Sequence, residues 1–406
     1  AIADPTTCLK EATNLITLIA TRGTSHYFHG LAIPMLPEAL AQSATLRPEE
    51  DKNALVCRLN ISPDGDITDS SIQLAIVQSR AKLSYQEVEE VLTDGAEHQF
   101  AETLTHLNDC YSALRTWRES RELVIEHRPE HRWLLNENKQ IDRIEEVRKK
   151  GSQLLVEECM VAANRCIAQA LKDAELPGPF VTHAGIRRDR TEEAKEFLFR
   201  FLPEQHALDF STPNGFRTLI NELNAASNER PLRSMINRLM SRASFSVKPA
   251  PHMGMALPVY TNGTSPLRKA LDFCVHLQLK AMLGDTSVKT APATVFDLIN
   301  QASAKNRQAV TSANNWLSCN FLNAQSAKGQ SDYDAEIVHI NTSGFTVKLK
   351  DLGLEGTVDL RREEEKFSFD KWEMALASKT RRYQLRQQIR VQYQPVEKPR
   401  GESAAF

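Results

Sequence analysis

Apolar residues recur along the 406-residue chain mostly every three or four positions, and in shorter stretches every second position. The first spacing lines one face of a helix and the second one face of a strand. Helical spacing predicts helices over 11–20, 85–92, 102–124, 153–172, 192–201, 231–240, 266–283 and 295–322. Alternation over 54–62 and 71–77, interrupted by Pro63-Asp64-Gly65-Asp66, predicts a hairpin. Asp64, Asp66 and Asp69 lack the glutamate that closes an EF-hand loop, so the acidic stretch reads as a turn. Short strands are expected at 132–135 and 179–181. The small polar stretch 324–331 reads as a linker. Beyond it, 333–340, 345–349 and 355–358 alternate between Gly-containing turns, the pattern of a small OB-type barrel. The expected organisation is α+β: a helix-rich part over 1–328, a barrel over 329–395 and a flexible tail over 396–406.

Composition narrows the picture. With 41% hydrophobic residues a large core is within reach, which excludes a globally disordered chain. The 50 basic and 52 acidic residues give a net charge of −2, so any binding of nucleic acid must come from a local groove. Cys8, Cys57, Cys110, Cys159, Cys166, Cys274 and Cys319 are scattered without a C-x-x-C pair, arguing against a disulfide framework or zinc site. They read as reduced thiols of a cytoplasmic protein. No apolar run approaches the roughly 18 residues needed to cross a bilayer. The chain opens Ala1-Ile2-Ala3-Asp4-Pro5, the end of a strand and a turn, which leads to the expectation of a piece of a longer protein; a processed terminus would look the same.

Three constellations could carry chemistry. In Thr264-Ser265-Pro266-Leu267-Arg268-Lys269, Ser265 is placed to cap a helix and Pro266 to occupy its first position. Arg268 and Lys269 would then sit in the first turn, where the helix dipole disfavours them; either they are an exposed pair or they face an anion such as phosphate. In the 153–172 helix, Glu157 or Glu158 must lie near the buried face, and Asn164 shares a side with Glu157. Such a polar stripe either pairs internally or faces a substrate. His252 precedes Met253-Gly254-Met255 and Tyr260, but no histidine spacing suits a metal. Phosphate-binding loops, nucleophile elbows and clustered aspartates for two-metal chemistry are likewise missing from the sequence. Arg381, Arg382, Arg386 and Arg390, interleaved with Tyr383 and Tyr393, suit either a single-stranded nucleic acid or a solvated strand.

Taken in order, Ala1–Pro5, Ser25-His-Tyr27, Ile33-Pro-Met-Leu-Pro37, 79–85, Val156-Glu-Glu-Cys-Met160, Asn164, Pro251-His-Met-Gly254, Tyr260 and Thr264–Lys269 resemble the RNB catalytic domain of the exoribonuclease II family, followed by an S1-type OB domain. The resemblance runs the length of the chain. It implies a 3′→5′ exonuclease that threads single-stranded RNA and releases 5′-nucleoside monophosphates, with Mg²⁺ as cofactor. Arg268 matches the arginine that stabilises charge on the scissile phosphate, a role suited to a permanently charged, forked guanidinium. Tyr27 resembles an aromatic stacked on a base, and Tyr85 and Glu157 resemble residues that contact strand and ribose. Lys269, Arg382 and Arg386 join the expected RNA-binding set. The partner implied is single-stranded RNA, bound by a cytoplasmic monomer away from membranes.

The departures matter as much. The family's Mg²⁺-binding aspartates precede the Ala-Asp-Pro segment, so no metal ligand is expected within this chain and the chain alone is expected to be inactive. Ile125 stands where a second stacking aromatic is expected, and Ala270, Leu277 and Val310 replace a tyrosine, an arginine and a glutamate. These losses motivate an alternative, a non-catalytic RNA-binding paralogue.

Overall fold

The computed structural model describes all residues except 8–12, 124–129, 206, 227–230, 288, 362 and 398. Strands Asp51–Ile61 and Ile67–Gln78 form the expected hairpin, longer than the alternation alone indicates. Ile2–Ala3 joins its free edge, Ile2 opposite Leu55. Gly65 closes the hairpin at φ +82, and its turn packs so tightly on the Ala101–Arg121 helix that a Cβ there would overlap the Ala113 carbonyl. Asp66 pairs with Arg121 at 3.2 Å, which gives the acidic turn a structural role.

Two helices organise the middle of the molecule. Gly151–Asp173 packs Ile167, Ala168 and Leu171 against Leu55, Phe180 and Val275. Ala270–Met282 is buried on every side from Ala270 through Lys280, although the sequence gives it four polar residues. Each of the four ties down another segment. Asp272 accepts the Ser265 N–H at 2.8 Å, and His276 Nε2 meets the Gly263 carbonyl at 2.9 Å. Gln278 donates to the Pro177 and Gly178 carbonyls, and Lys280 pairs with Asp4 at 2.8 Å. A fully buried helix tolerates such groups because each has at least one partner, although Asp272 Oδ1 and Gln278 Oε1 are left without one. Burial alone would raise the Asp4 carboxyl, but hydrogen bonds from His276, Lys280 and Thr6 hold it well below the usual carboxylate range.

The structure corrects several expectations. Helix 266–283 begins only at Ala270, so Ser265 is no N-cap and Pro266 no first helical residue. The reason is competition for the backbone. The Arg268 carbonyl accepts from Ser25 N–H at 2.8 Å and Thr24 Oγ1 at 2.7 Å, and therefore cannot begin a helical ladder. The supposed linker 324–331 is helical to Ala327, closing the 35-residue helix Ala293–Ala327. Its Ala, Ser and Gln residues are polar or small but do not break helices, and the turn comes at Gly329. Pro213–Ala225, capped by Thr212, is a helix that the spacing did not reveal, and so is Glu38–Ala44.

The C-terminal part holds an open five-stranded sheet. Its order is Gln388–Gln392, Asp332–Asn341, Gly344–Leu349, Glu355–Asp359 and Ala404–Ala405. A separate three-stranded sheet comprises Ser368–Asp370, Ala375–Ala377 and Arg382–Gln384. The ladder does not close into a barrel among the described residues; one isolated bridge, Gln394 to Ala405, joins its two edges. The tail expected to fray instead returns to the sheet. Ala404–Ala405 lies parallel to Glu355–Asp359, and the Phe406 ring packs edge-on against Tyr333 and Tyr393. The terminal apolar residues supply this anchor. One apolar core runs without a gap from Phe197, Phe216 and Ile236 through Cys319 and Leu322 to Ile337, Val347 and Leu376.

Candidate functional site

Helix Gly151–Asp173 separates two kinds of polar chemistry. On its buried side Glu158 accepts both oxygens' worth of hydrogen bonds from Arg118 Nη1, at 2.7 and 2.8 Å. Arg118 also reaches Glu122 at 3.2 Å, and Arg165 reaches the other Glu122 oxygen at 3.3 Å. Glu157, one residue earlier, points into an open groove of about 350 Å³. Of the two glutamates left open by sequence, Glu158 is the internal partner and Glu157 faces the groove.

The rest of the groove joins this helix to side chains from distant segments. Asn164 donates to the Tyr260 hydroxyl at 3.2 Å and accepts the Gly263 N–H at 2.8 Å. Gly263 fits there because a Cβ would press on Ile167 and Val275 at 3.0 and 3.1 Å. Burial pushes the Tyr260 hydroxyl pKa up, so it stays neutral while accepting from Asn164. Tyr85 enters from the start of helix Tyr85–Asp94, whose Ser84 and Glu87 form a capping box. That helix is clamped on Gly151–Asp173: Glu89 accepts the N–H groups of Gly151 and Ser152, and Ser152 Oγ donates to the Tyr85 carbonyl at 2.9 Å. The clamp leaves the Tyr85 side chain half exposed at the groove.

Lys269 completes the groove; among the described residues its ammonium forms no salt bridge, and its charge acts on the buried Asp272 carboxyl. By contrast Glu157 is engaged by Lys149 at 2.8 Å, so a ribose would have to compete with that pair. Arg268 does not line the groove. Its exposed guanidinium donates to Ser265 Oγ at 3.2 Å, while its backbone bridges to Thr24 and Ser25. Two residues on, Tyr27 stands 59% exposed on the short strand His26–Phe28, which pairs with Leu31–Ile33. Segments 241 positions apart thus put Tyr27, Arg268 and Lys269 along one connected edge.

The remaining expected contacts lie elsewhere. Arg382 faces Glu373 at 3.7 Å and Arg386 occupies a turn at φ +68, both in the C-terminal sheets. Neither lines the groove. The tyrosines read as stacking partners there are structural: Tyr393 is buried with its hydroxyl on Asn323, and Tyr383 packs against Phe345 and Phe367. Ile125 lies outside the described residues. Ala270 and Leu277 are fully buried, and Val310 sits on the Ala293–Ala327 helix. Lys149, Gln153, Met160 and Asn262 line the groove and were not foreseen; the basic run Arg148-Lys149-Lys150 ahead of a helix start was the available signal.

Among the described residues no three His, Cys, Asp or Glu side chains lie together as metal ligands. The donor set at the groove does not fit Mg²⁺. Its one carboxylate, Glu157, is held by Lys149, and the nearby Asp272 is buried with one oxygen committed to a backbone N–H. No helix among the described residues is long and apolar enough to cross a membrane.

A mixed helix-and-sheet chain with a cation- and tyrosine-lined groove is the class this geometry defines. The family model of the RNB domain matches residues 1–285, and the chain belongs to that family. Exoribonuclease 2 of Yersinia enterocolitica is 33% identical over 360 residues, covering 87% of this chain and 56% of that protein. The chain therefore spans about half the length of such curated relatives. Among solved structures, Mycoplasma genitalium RNase R superposes with a TM-score of 0.83 at 19% identity, over 100% of this chain and 66% of that one. Yeast Ssd1, described as a pseudonuclease, superposes with a TM-score of 0.64 at 17% identity, over 92% of this chain and 47% of that one.

Proposed function

We propose that this chain is part of a 3′→5′ exoribonuclease acting on single-stranded RNA, with release of 5′-nucleoside monophosphates. The observation that carries the reading is the edge joining Tyr27, Arg268 and Lys269 beside the Tyr85 groove, in a family whose curated relatives are named exoribonucleases. Lys269, in no salt bridge among the described residues, offers its charge to a backbone phosphate, and Tyr85 and Tyr27 offer faces for bases. Arg268 is free to fork onto phosphate oxygens in exchange for one hydrogen bond to Ser265. Asn164, Tyr260 and Glu157 line the same groove and are polar groups suited to a ribose hydroxyl. Mg²⁺ belongs to the proposal through ligands other than those lining this groove. We read the C-terminal sheets as an S1-type OB module, supported by the strand order and the single bridge between its edges. A cytoplasmic monomer is the expected setting.

The test uses the 406-residue chain with end-labelled RNA and Mg²⁺. Salt-dependent retention of single-stranded RNA without release of mononucleotides is expected. Mg²⁺-dependent mononucleotide release would overturn the placement of the metal ligands, and equal indifference to RNA and single-stranded DNA at low salt would overturn the RNA reading. In a longer form that cleaves, Arg268→Ala should lower turnover far more than affinity. A second reading, a non-catalytic RNA-binding paralogue, is favoured by Ala270, Leu277 and Val310 and by the likeness to a pseudonuclease. RNA shortened to small end products by the longer form would exclude it.

A further inference from the structure

A cavity of about 800 Å³, larger than the groove, opens where the segment after Met240 crosses helix Ala293–Ala327. The helix presents Ala304, Arg307, Gln308 and Thr311, spaced at i, i+3, i+4 and i+7 and so on one face. Ser241 and Arg242 come from the crossing segment, which is held in place on both sides. Ser241 N–H donates to the Gly185 carbonyl at 2.8 Å, and Phe245 N–H donates to Asn300 of the helix at 3.3 Å.

The chemistry of this lining is one-sided. It contains two guanidiniums, two hydroxyl groups beyond Ser241, an amide and His183, and no carboxylate. Among the described residues Arg242 and Arg307 form no ion pair or side-chain hydrogen bond, whereas Arg118, Arg165, Arg238, Arg361 and Arg381 each have an acidic partner. The Ser241 hydroxyl is buried without a hydrogen-bond partner. Two unpaired cations held on one cavity repel each other, and a buried unsatisfied hydroxyl costs free energy. An anion with several acceptor oxygens would relieve the repulsion between the two exposed guanidiniums. His183, whose pKa burial lowers, lies tilted at 5.6 Å from His252, whose ring in turn meets Tyr260 of the groove at 5.8 Å. A wall of three rings therefore separates this cavity from the groove.

We propose that the Arg242–Arg307 cavity is a second binding site, for the phosphate of a nucleotide. The volume accommodates a nucleoside monophosphate with room beside it. Both guanidiniums can fork onto phosphate oxygens. The site does not depend on the nuclease reading, because none of its residues lines the groove.

Titration calorimetry on the 406-residue chain tests it with 5′-AMP, adenosine and a five-residue oligoribonucleotide. For a free nucleotide as the source, 5′-AMP binds, adenosine binds at least tenfold more weakly, and affinity falls as salt rises. Arg242→Ala and Arg307→Ala each weaken binding at least tenfold, and the two Arg→Lys variants recover part of it. If only the oligonucleotide binds, with the same losses on substitution, the phosphate is that of a strand. Both side chains are exposed, so the variants should melt with the parent, which thermal unfolding verifies. No binding of any phosphate-bearing probe, or unchanged binding in the double alanine variant, would overturn the site. Either result leaves RNA binding through Lys269 to be judged separately.

Discussion

Two regions of this chain carry the same residue types, cations beside tyrosines, yet they are built differently. In the C-terminal sheets Arg381 pairs with Glu363 at 2.8 Å, Arg382 faces Glu373, and Arg390 faces Asp332 at 3.9 Å. Their neighbouring tyrosines are packed into the core. At the groove Lys269 forms no salt bridge among the described residues, its charge facing the buried Asp272, and Tyr85 and Tyr27 present their rings to solvent. A cation already paired, and a ring already packed, has little left to offer a ligand. Composition alone cannot make this distinction, because it depends on which residues the fold brings alongside.

The largest effect expected is on the support of the groove rather than on its lining. Glu158→Ala strands Arg118 as a buried, partly unpaired charge and should cost about 3–5 kcal/mol, read as a lowered denaturant midpoint at constant slope. A loss below about 1 kcal/mol would show that the cluster behaves like a surface pair.

Tyrosine for tyrosine, the two regions should then separate. Tyr393→Ala removes a buried ring and should destabilise by about 3–5 kcal/mol, leaving RNA affinity per folded molecule unchanged. Tyr85→Ala should leave the melting temperature in place and weaken single-strand binding by about 1–3 kcal/mol. The reverse outcome would exchange the roles assigned here.

The ring wall between groove and cavity gives a pH signature. Burial, assisted by the neighbouring His183, pushes His252 down to about 4 from its ordinary 6.5. The unfolded chain therefore binds the proton more readily, and stability from this group is fully present above about pH 6.5. It falls as pH drops from there toward 4 and changes little below. Stability curves between pH 4 and 7 for the parent and His252→Gln should differ in slope within that window. Parallel curves would remove His252 as the cause.

The smallest effect expected is at the C-terminal arginines. Arg382→Ala should change single-strand affinity by less than about 0.5 kcal/mol, whereas Lys269→Ala should lower the salt dependence by about one phosphate contact. Filter binding across a salt series distinguishes the two, and an equal loss in both would restore the C-terminal stretch to the binding surface.

Much of the fold was legible. The hairpin at 51–78, the helices around 101–121 and 151–173 and the three strands after 332 follow from local apolar spacing. The helix at 213–225 was not, because its breaks at Pro213 and Gly215 mask a cap that only the Thr212 hydroxyl reveals. The ordered terminus was not either, because two small residues and Phe406 read as tail until a strand edge is there to receive them. At the site, the sequence identified Tyr27, Tyr85, Glu157, Arg268 and Lys269 through a resemblance, without the means to say which were free.

By itself the sequence determined the element types, the near-neutral charge and the family pattern, because these depend on neighbours along the chain. Tertiary structure decided which polar groups are spent and which remain available. Glu157 and Glu158 are adjacent in sequence, but a helix turns them about 100° apart, one toward the groove and one into the Arg118 cluster. Lys269 and Arg382 carry the same charge, and only the through-space position of an acid separates them.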